Sequence, residues 1–470
     1  MKRSKVILAG VMGTALEYYD TMLYMHFLPI LTPLFFPSED AFISSLLSMA
    51  SFAVGFLMRP LGGIVFGHIG DRLGRRVALG ISIMLISLPT FVMGLLPTYG
   101  QVGIIAPMAL ILCRLLQNFC VGGEVIGGSI FLVEQAKPGY ESRTSSLLNV
   151  AIQIGSFIGA GLGLISLWAF LPEWGWRIPF LFGAVFGLFG YYVRTKIQET
   201  PEFSHLRQEK RLAKLPLWEA LKRDKKSLFR TMGICAGVMT PFQIIYVFMG
   251  DVLKTKFQLL PDQILAHNMK LMVLMALVLS GMGYLADKFG YKRIMGLSLL
   301  GAICFSHPAF WMMERALTPN EILLMQAVLA VLACGVAAPC CVLVSSLFPV
   351  RERYSGYALG WSLGAILFAG LTPLLSLLLV QWTGDSKAPS YILMVYGGAG
   401  LASIMENLFV LTPFIGRGRL WHKKMSYAKS PSKNFLNKWV DLWFTVPKAK
   451  HRRCLQCGPR KTDLSIIEII

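Results

Sequence analysis

Charge is scarce in this chain. Asp, Glu, Lys and Arg make up 15 % of 470 residues, against 55 % hydrophobic residues and a mean hydropathy of +0.58. So little charge excludes the water-solvated surface of an ordinary soluble protein of this length. Acids are the rarer sign, 25 against 45 bases, which leaves a formal charge of +20. That excess would suit nucleic acid, but the bases collect in short clusters beside apolar stretches, where retention of positive loops on the inner side of a membrane places them. No nucleic-acid partner is expected. There is no GxxxxGK[ST] phosphate loop, which argues against an ATP-driven pump in this single chain, and no cofactor is expected. A disulfide framework is missing too: Cys113, Cys120, Cys235, Cys304, Cys334, Cys340 and Cys341 lie inside apolar stretches, as free thiols acting as small hydrophobes do. Only Cys454 and Cys457 form a CxxC pair, and without a second pair no metal site is expected. The N-terminal Met1-Lys2-Arg3-Ser4-Lys5 opens an apolar run reaching toward Phe36, too long for a signal-peptide core and without a small-residue cleavage site, so the first helix is expected to stay.

What is present is a series of apolar stretches, each near the ~20 residues a helix needs to cross a hydrocarbon core. Spans are predicted near 6–35, 42–66, 77–97, 101–134, 145–170, 177–194, 229–252, 264–285, 294–313, 321–346, 355–382 and 390–413. Basic residues mark every second loop, whereas Pro37-Ser38-Glu39-Asp40, Pro172-Glu173 and Asp385 mark the others. The expected topology is a multi-pass protein of a plasma (bacterial inner) membrane with both termini cytoplasmic.

An internal repeat divides the spans. Gly67-His68-Ile69-Gly70-Asp71-Arg72-Leu73-Gly74-Arg75-Arg76 after span two recurs as Gly283-Tyr284-Leu285-Ala286-Asp287-Lys288-Phe289-Gly290-Tyr291-Lys292 after span eight, and Arg143-Thr144-Ser145-Ser146 before span five as Arg353-Tyr354-Ser355-Gly356 before span eleven. The fold class is therefore an all-α membrane protein of twelve helices in two six-helix parallel repeats, with its site between the halves. Expected boundaries are 1–194 for the first bundle, 195–228 for a cytoplasmic linker with an amphipathic helix around Leu215–Leu228, 229–413 for the second bundle and 414–470 for a basic tail. Trp421, Trp439, Leu442 and Trp443 interleave with bases in that tail, as in a segment that contacts anionic lipid.

Ionisable residues inside spans cost about 2.5–3.5 kcal/mol each and need an account. Glu17 and Asp20 fall about 16–21 Å along span one, at a spacing that puts both on one helix face. In span four Arg114, Gln117, Val121 and Glu124 share a face, with Glu124 expected near Arg59 of span two. Two acids close together do not both stay ionised cheaply, so Glu17, Asp20 and Glu124 are candidate proton carriers. Arg114, Gln117 and Arg59 are candidate contacts for a substrate carboxylate. Static ion pairing that lets polar helices pack is the competing account. The second half has few central charges, with Asp251, His267 and Lys270 near span ends and Glu406 in span twelve. There Gln243, Tyr246, Trp361 and Asn407 are candidate substrate contacts, or else packing and interfacial groups. Gly155, Gly159 and Gly163 form a close-packing face in span five.

These strings resemble a known family. The repeat motif resembles the signature of the major facilitator superfamily. The match narrows to its metabolite:proton symporter family through Leu16-Glu17-Tyr18-Tyr19-Asp20, Arg59-Pro60-Leu61-Gly62-Gly63, Arg114-Leu115-Leu116-Gln117, Val121-Gly122-Gly123-Glu124, Trp174-Gly175-Trp176-Arg177-Ile178-Pro179-Phe180, Glu199-Thr200-Pro201-Glu202-Phe203 and Leu347-Phe348-Pro349. The resemblance runs from about residue 6 to about residue 413. It implies no enzyme but a secondary transporter whose partners are a small-molecule substrate, a proton and the lipid bilayer. The family's substrates include proline and betaines, 2-oxoglutarate, citrate and shikimate. Gly122-Gly123-Glu124 followed by Ser129-Ile130-Phe131 looks most like the proline/betaine carriers, with a carboxylate carrier of the 2-oxoglutarate/citrate type as the alternative. A channel, or a membrane sensor in a transporter fold, is the alternative in class. The resemblance also implies that Asp71, Arg72, Gly74, Arg75 and Arg76, with Asp287 and Lys288, act as a gate latch. The chain departs from the family pattern at Asn118, where a glycine is usual, and at Pro241-Phe242-Gln243.

Overall fold

A computed structural model of the chain describes residues 3–166, 173–195, 199–209, 216–223 and 225–410. The tail with its CxxC pair and tryptophans lies outside the described residues, as does the Asn407 side chain. A bilayer core offers no water to an unpaired N–H or C=O, so spanning backbone closes its hydrogen bonds within each segment as helix.

Among the described residues, twelve long helical stretches do this. They are α1 (Arg3–Phe35), α2 (Ala41–Gly55, the 3-10 turn Phe56–Met58, then Arg59–Arg72), α3 (Arg75–Leu95), α4 (Ile105–Gln135), α5 (Glu141–Ser166) and α6 (Ile178–Thr195). The second set is α7 (Lys225–Gln243, the π-turn Ile244–Phe248, then Met249–Phe257), α8 (Pro261–Phe289), α9 (Tyr291–Arg315), α10 (Pro319–Leu347), α11 (Arg353–Ala365, the π-turn Ile366–Gly370, then Thr372–Thr383) and α12 (Pro389–Val410). Ten of these, α2 to α11, are long and apolar enough to cross a membrane by length and composition among the described residues. Between α6 and α7 run two short helices, Pro201–Gln208 and Pro216–Arg223, where the sequence predicts one. The first starts because Thr200 accepts the Phe203 N–H and Pro201 needs no donor partner at a helix start.

The halves meet crosswise: α2 packs on α11, and α5 packs on α8 and α10. Glycine makes these approaches close. Gly63, Gly67 and Gly70 of α2 turn toward Ala358, Ser355 and Tyr354 of α11, while Gly283 of α8 faces Ser142 and Ser146 of α5. The predicted glycine face of α5 lies against α1, where Gly155 meets the Ala15 carbonyl, Gly159 meets Tyr19 and Gly163 meets Phe27.

Among the described residues, three of these helices are not continuous α-helix. In α7 the π-turn follows Pro241, and in α11 the π-turn precedes Pro373. Carbonyls in both turns accept side-chain donors: Gln326 Nε2 donates to Ile245 O at 2.9 Å and Thr240 Oγ1 to Phe368 O at 3.0 Å. The break in α2 abuts the one in α11, since a Cβ on Gly370 would lie 3.0 Å from Phe56.

A Cβ on Gly155 would stand 2.1 Å from the Ala15 carbonyl oxygen, whereas one on Gly161 meets only a Met269 methyl at 3.7 Å. Gly155→Val is therefore expected to destabilise the bundle by about 1–3 kcal/mol, with Gly161→Ala close to neutral. Thermal unfolding in detergent checks the pair, and equal melting temperatures contradict the α1–α5 packing.

Candidate functional site

Buried polar groups gather at two levels, one where α2 meets α3 and one near mid-bundle. The first is the more complete. Asp71 and Arg72 belong to the last turn of α2 and Arg75 and Arg76 to the first turn of α3, so only Leu73 and Gly74 form the loop that the sequence predicts to be longer. Gly74 has φ 122° and its counterpart Gly290 has φ 96°, conformations that L side chains avoid. A Cβ on Gly74 would also lie 2.2 Å from Glu199 Oε2.

Each aspartate grips the start of a helix from the other half. Asp71 accepts the N–H of Tyr354 at 3.3 Å and of Ser355 at 2.9 Å, the second and third residues of α11. Asp287 accepts the N–H of Ser142 at 2.8 Å and of Arg143 at 3.1 Å, the second and third residues of α5. A carboxylate here answers both the unpaired N–H groups and the positive end of the helix dipole. The cations differ between the two grips. Arg75 pairs with Asp71 at 2.9 Å from within the same half, whereas Arg143 approaches Asp287 at 3.4 Å from across the interface. Tyr291 stands where the first copy of the repeat has Arg75.

Around the Asp71 grip a network spreads that the sequence reading does not assign. Fully buried Arg75 donates to Gly70 O and Val350 O, and Arg353 pairs with Glu134 at 2.9 Å and Glu202 at 2.8 Å. Glu199 accepts the backbone N–H of Arg75 and of Arg76, each at 3.2 Å. Burial pushes the Glu199 carboxyl above the usual range, and these N–H donors together with that of Thr200 pull it back. Glu202 is likewise raised by burial and lowered by Arg353. The Tyr354 ring slots between Gly70 and Gly127, and its hydroxyl donates to Gly123 O at 2.8 Å. Arg72 and Arg76 are exposed, and Lys288 lies over the Phe289 ring at 5.2 Å.

At mid-bundle the α1 acids part company. Glu17 lies 3.6 Å from Arg194 of α6, and the same guanidinium contacts Glu124 of α4 and donates to Leu79 O at 2.7 Å. Two carboxylates thus share one cation, all at most 2 % exposed. Asp20 turns toward α3, where Ser87 donates to it at 3.1 Å, and its other oxygen has no partner among the described residues. The Arg59 carbonyl lies against Gly122, two residues from Glu124, yet Arg59 and Glu124 form no ion pair among the described residues. Arg59 instead donates to Asn118 Oδ1 at 2.8 Å and lies 3.8 Å over the Phe56 ring, which accounts for the asparagine at a position where glycine is expected.

Arg114 stands apart from all of these acids. Its guanidinium donates to Gln117 at 2.9 Å, sits 4.1 Å from the Tyr24 ring centroid and has no carboxylate within ion-pair distance among the described residues. Gln117 continues to Thr90 at 2.7 Å, and Thr90 flanks Gly183 together with Asp20. In the second half, Tyr246 reaches across to Gln153 of α5 at 3.2 Å and Met275 Sδ at 3.1 Å. Gln243 Oε1 is buried without a partner among the described residues, and Trp361 is buried edge-on to Tyr357. No group of three His, Cys, Asp or Glu side chains that could hold a metal occurs among the described residues.

The chain as a whole is similar to known proteins. A family model described as sugar (and other) transporter matches residues 6–226. The proline/betaine transporter of Salmonella typhimurium is 33 % identical over 416 residues, 85 % of this chain and 82 % of that one. The citrate-proton symporter of Klebsiella pneumoniae is 31 % identical over 396 residues, 83 % and 88 % of the two chains. Among solved structures, the proton:xylose symporter XylE bound to 6-bromo-6-deoxy-D-glucose superposes with a TM-score of 0.70 at 18 % identity, covering 87 % of this chain and 96 % of that one.

The paired grips predict how the interface opens. With spin labels on exposed Leu73 and Phe289, Asp71→Asn is expected to shift the inter-label distance distribution to longer values, because the amide keeps one acceptor but loses the charge facing the α11 start. An unchanged distribution contradicts the grip.

Proposed function

The chain belongs to the metabolite:proton symporter family of the major facilitator superfamily, and from that membership we propose that this secondary transporter couples a proton to the movement of a small zwitterion or organic acid. The observation that carries the reading is Arg114, a buried guanidinium with no carboxylate partner among the described residues. A buried cation is costly until an anion meets it, and a substrate carboxylate meets it bidentately. Gln117 orients the guanidinium, and Tyr24 and Phe52 wall it at 4.1 and 5.9 Å.

The zwitterion is favoured because Asp20 keeps a free oxygen beside Thr90, one hydrogen-bond step from Gln117. One carboxylate and one ammonium answer Arg114 and Asp20 together, as a proline-like solute would. A dicarboxylate of the 2-oxoglutarate type is the second reading. It draws on Arg59, which also has no carboxylate partner among the described residues and which Asn118 links to the Arg114 carbonyl. Gln243, Tyr246 and Trp361 would complete the site from the second half.

Coupling is assigned to Glu17 and Glu124. Their shared Arg194 balances one carboxylate, so a proton on the other leaves the triad neutral in its buried surroundings. In this reading the end closed by Asp71 and Asp287 faces the cytoplasm with both termini, and residues 1–194 and 229–413 rock as two bundles about the site. The closed state is then the one that loads substrate from outside.

Uptake by proteoliposomes under an imposed pH gradient tests this, screening proline, betaine, 2-oxoglutarate, citrate and shikimate. Arg114→Lys is expected to raise KM by about tenfold or more through loss of the bidentate contact. Glu17→Gln and Glu124→Gln are expected to abolish solute-driven proton movement in at least one of the two. Full coupling in both amide variants rejects the assignment.

A further inference from the structure

Beyond Arg114, toward the end opposite the aspartate grips, a crevice opens between the halves, with walls from α1, α2, α7 and α8. His26 of α1 lines it at 3 % exposure, and neither ring nitrogen has a partner among the described residues. Asn268 of α8 lines it at 5 % exposure, with its Oδ1 equally unanswered. Buried polar atoms are ordinarily satisfied, and the neighbouring His267 is, through a 2.7 Å bond to Gln326. The facing wall of α7 carries Asp251 and Lys254, whose three-residue spacing puts a negative and a positive charge on one helix face.

A donor, an acceptor, a cation and an anion around one crevice match the groups of a zwitterion whose nitrogen bears hydrogen. We propose that this crevice is a vestibule site, separate from the Arg114 site, that captures an N–H-bearing zwitterion such as proline. Its carboxylate would lie against Lys254 and a His26 N–H, and its ammonium would donate to Asn268 Oδ1 and face Asp251. A fully methylated betaine has no N–H for Asn268 and binds the vestibule less well. The proposal deepens the transport reading above and rests on it.

The onward route is short. His26 lies six residues from Asp20, about 9 Å along α1. The Tyr24–Ser51 hydroxyl pair, 2.6 Å apart, lies on this stretch, and Arg114 sits against the ring of that tyrosine. Ser48 belongs to both levels: its hydroxyl accepts from Thr32 in the crevice wall at 2.8 Å, and its carbonyl accepts from Ser51 at 2.8 Å.

The test uses the full chain in two formats: equilibrium binding of radiolabelled proline in detergent, and proline uptake by proteoliposomes. Wild type is expected to bind two prolines per chain. His26→Leu and Lys254→Met are each expected to lose one of them and to raise the uptake KM about tenfold, the loss of one hydrogen bond to a charged group, with maximal rate retained. Lys254 is exposed, so its variant separates lost binding from misfolding. Wild type that transports proline but binds only one, with both variants unaltered in KM, overturns the vestibule and leaves the transport reading standing. Wild type that takes up a dicarboxylate but neither transports nor binds proline overturns the vestibule and the zwitterion reading, and wild type that takes up none of the screened solutes overturns the transport reading as well.

Discussion

A guanidinium inside a membrane-spanning bundle must be met by oxygen atoms of the protein or of its cargo, because no water is at hand to solvate it. Four arginines of this chain meet that demand in different ways. Arg75 and Arg353 are met by acids and carbonyls drawn from both halves and from the segment after α6, so satisfying them holds the halves together. Arg194 is met by two acids within one half, which ties α1, α4 and α6 and leaves one carboxylate in excess. Arg114 is met, among the described residues, only by an amide and aromatic faces. Full, excessive and incomplete satisfaction of one functional group thus correspond to closure, proton handling and substrate recognition in the reading proposed above.

Close backbone approach is what makes the closure compact enough to bury its charges. Tyr354 reaches the Gly123 carbonyl only because Gly70 and Gly127 leave space for its ring. Gly62 and Gly122 let α2 and α4 cross with backbone against backbone, at Phe119 and Arg59 respectively. Side chains at these positions would part the helices and admit solvent to Arg75 and Asp71.

The spans were legible in the sequence because a bilayer demands long apolar runs, and the two halves were legible because the motif at Asp71 returns at Asp287. The local ends were harder. Gly67 to Arg72 reads as loop from its polarity, yet it is helical, since its glycines and aspartate are buried against α11. Arg194 sits at the edge of a basic segment that reads as topological charge, and nothing in its local sequence signals that its side chain turns inward to Glu17 and Glu124. Glu17 and Asp20 share a face by spacing, but α1 has neighbours on both flanks of that face, and each acid turns to a different one. Pro241 marks the break in α7, and Pro60, at the start of the segment after the 3-10 turn, marks the one in α2 by leaving the Phe56 carbonyl without its helical donor. Partner choice among buried charges is a property of how helices pack, and helical periodicity alone does not contain it.

The crossed grips carry a further meaning. Asp71 of the first repeat holds the second and third residues of α11 in the second, and Asp287 of the second repeat holds the second and third residues of α5 in the first. A six-helix chain bearing both the aspartate turn and the acceptor helix start would be complementary to a copy of itself about a two-fold axis, each surface serving at once as donor and recipient. The closure in this polypeptide therefore has the geometry of an isologous dimer contact enclosed within one chain. Tyr291 in place of a second Arg75, and Arg143 reaching across the interface instead, are the points at which the two copies depart from that symmetry.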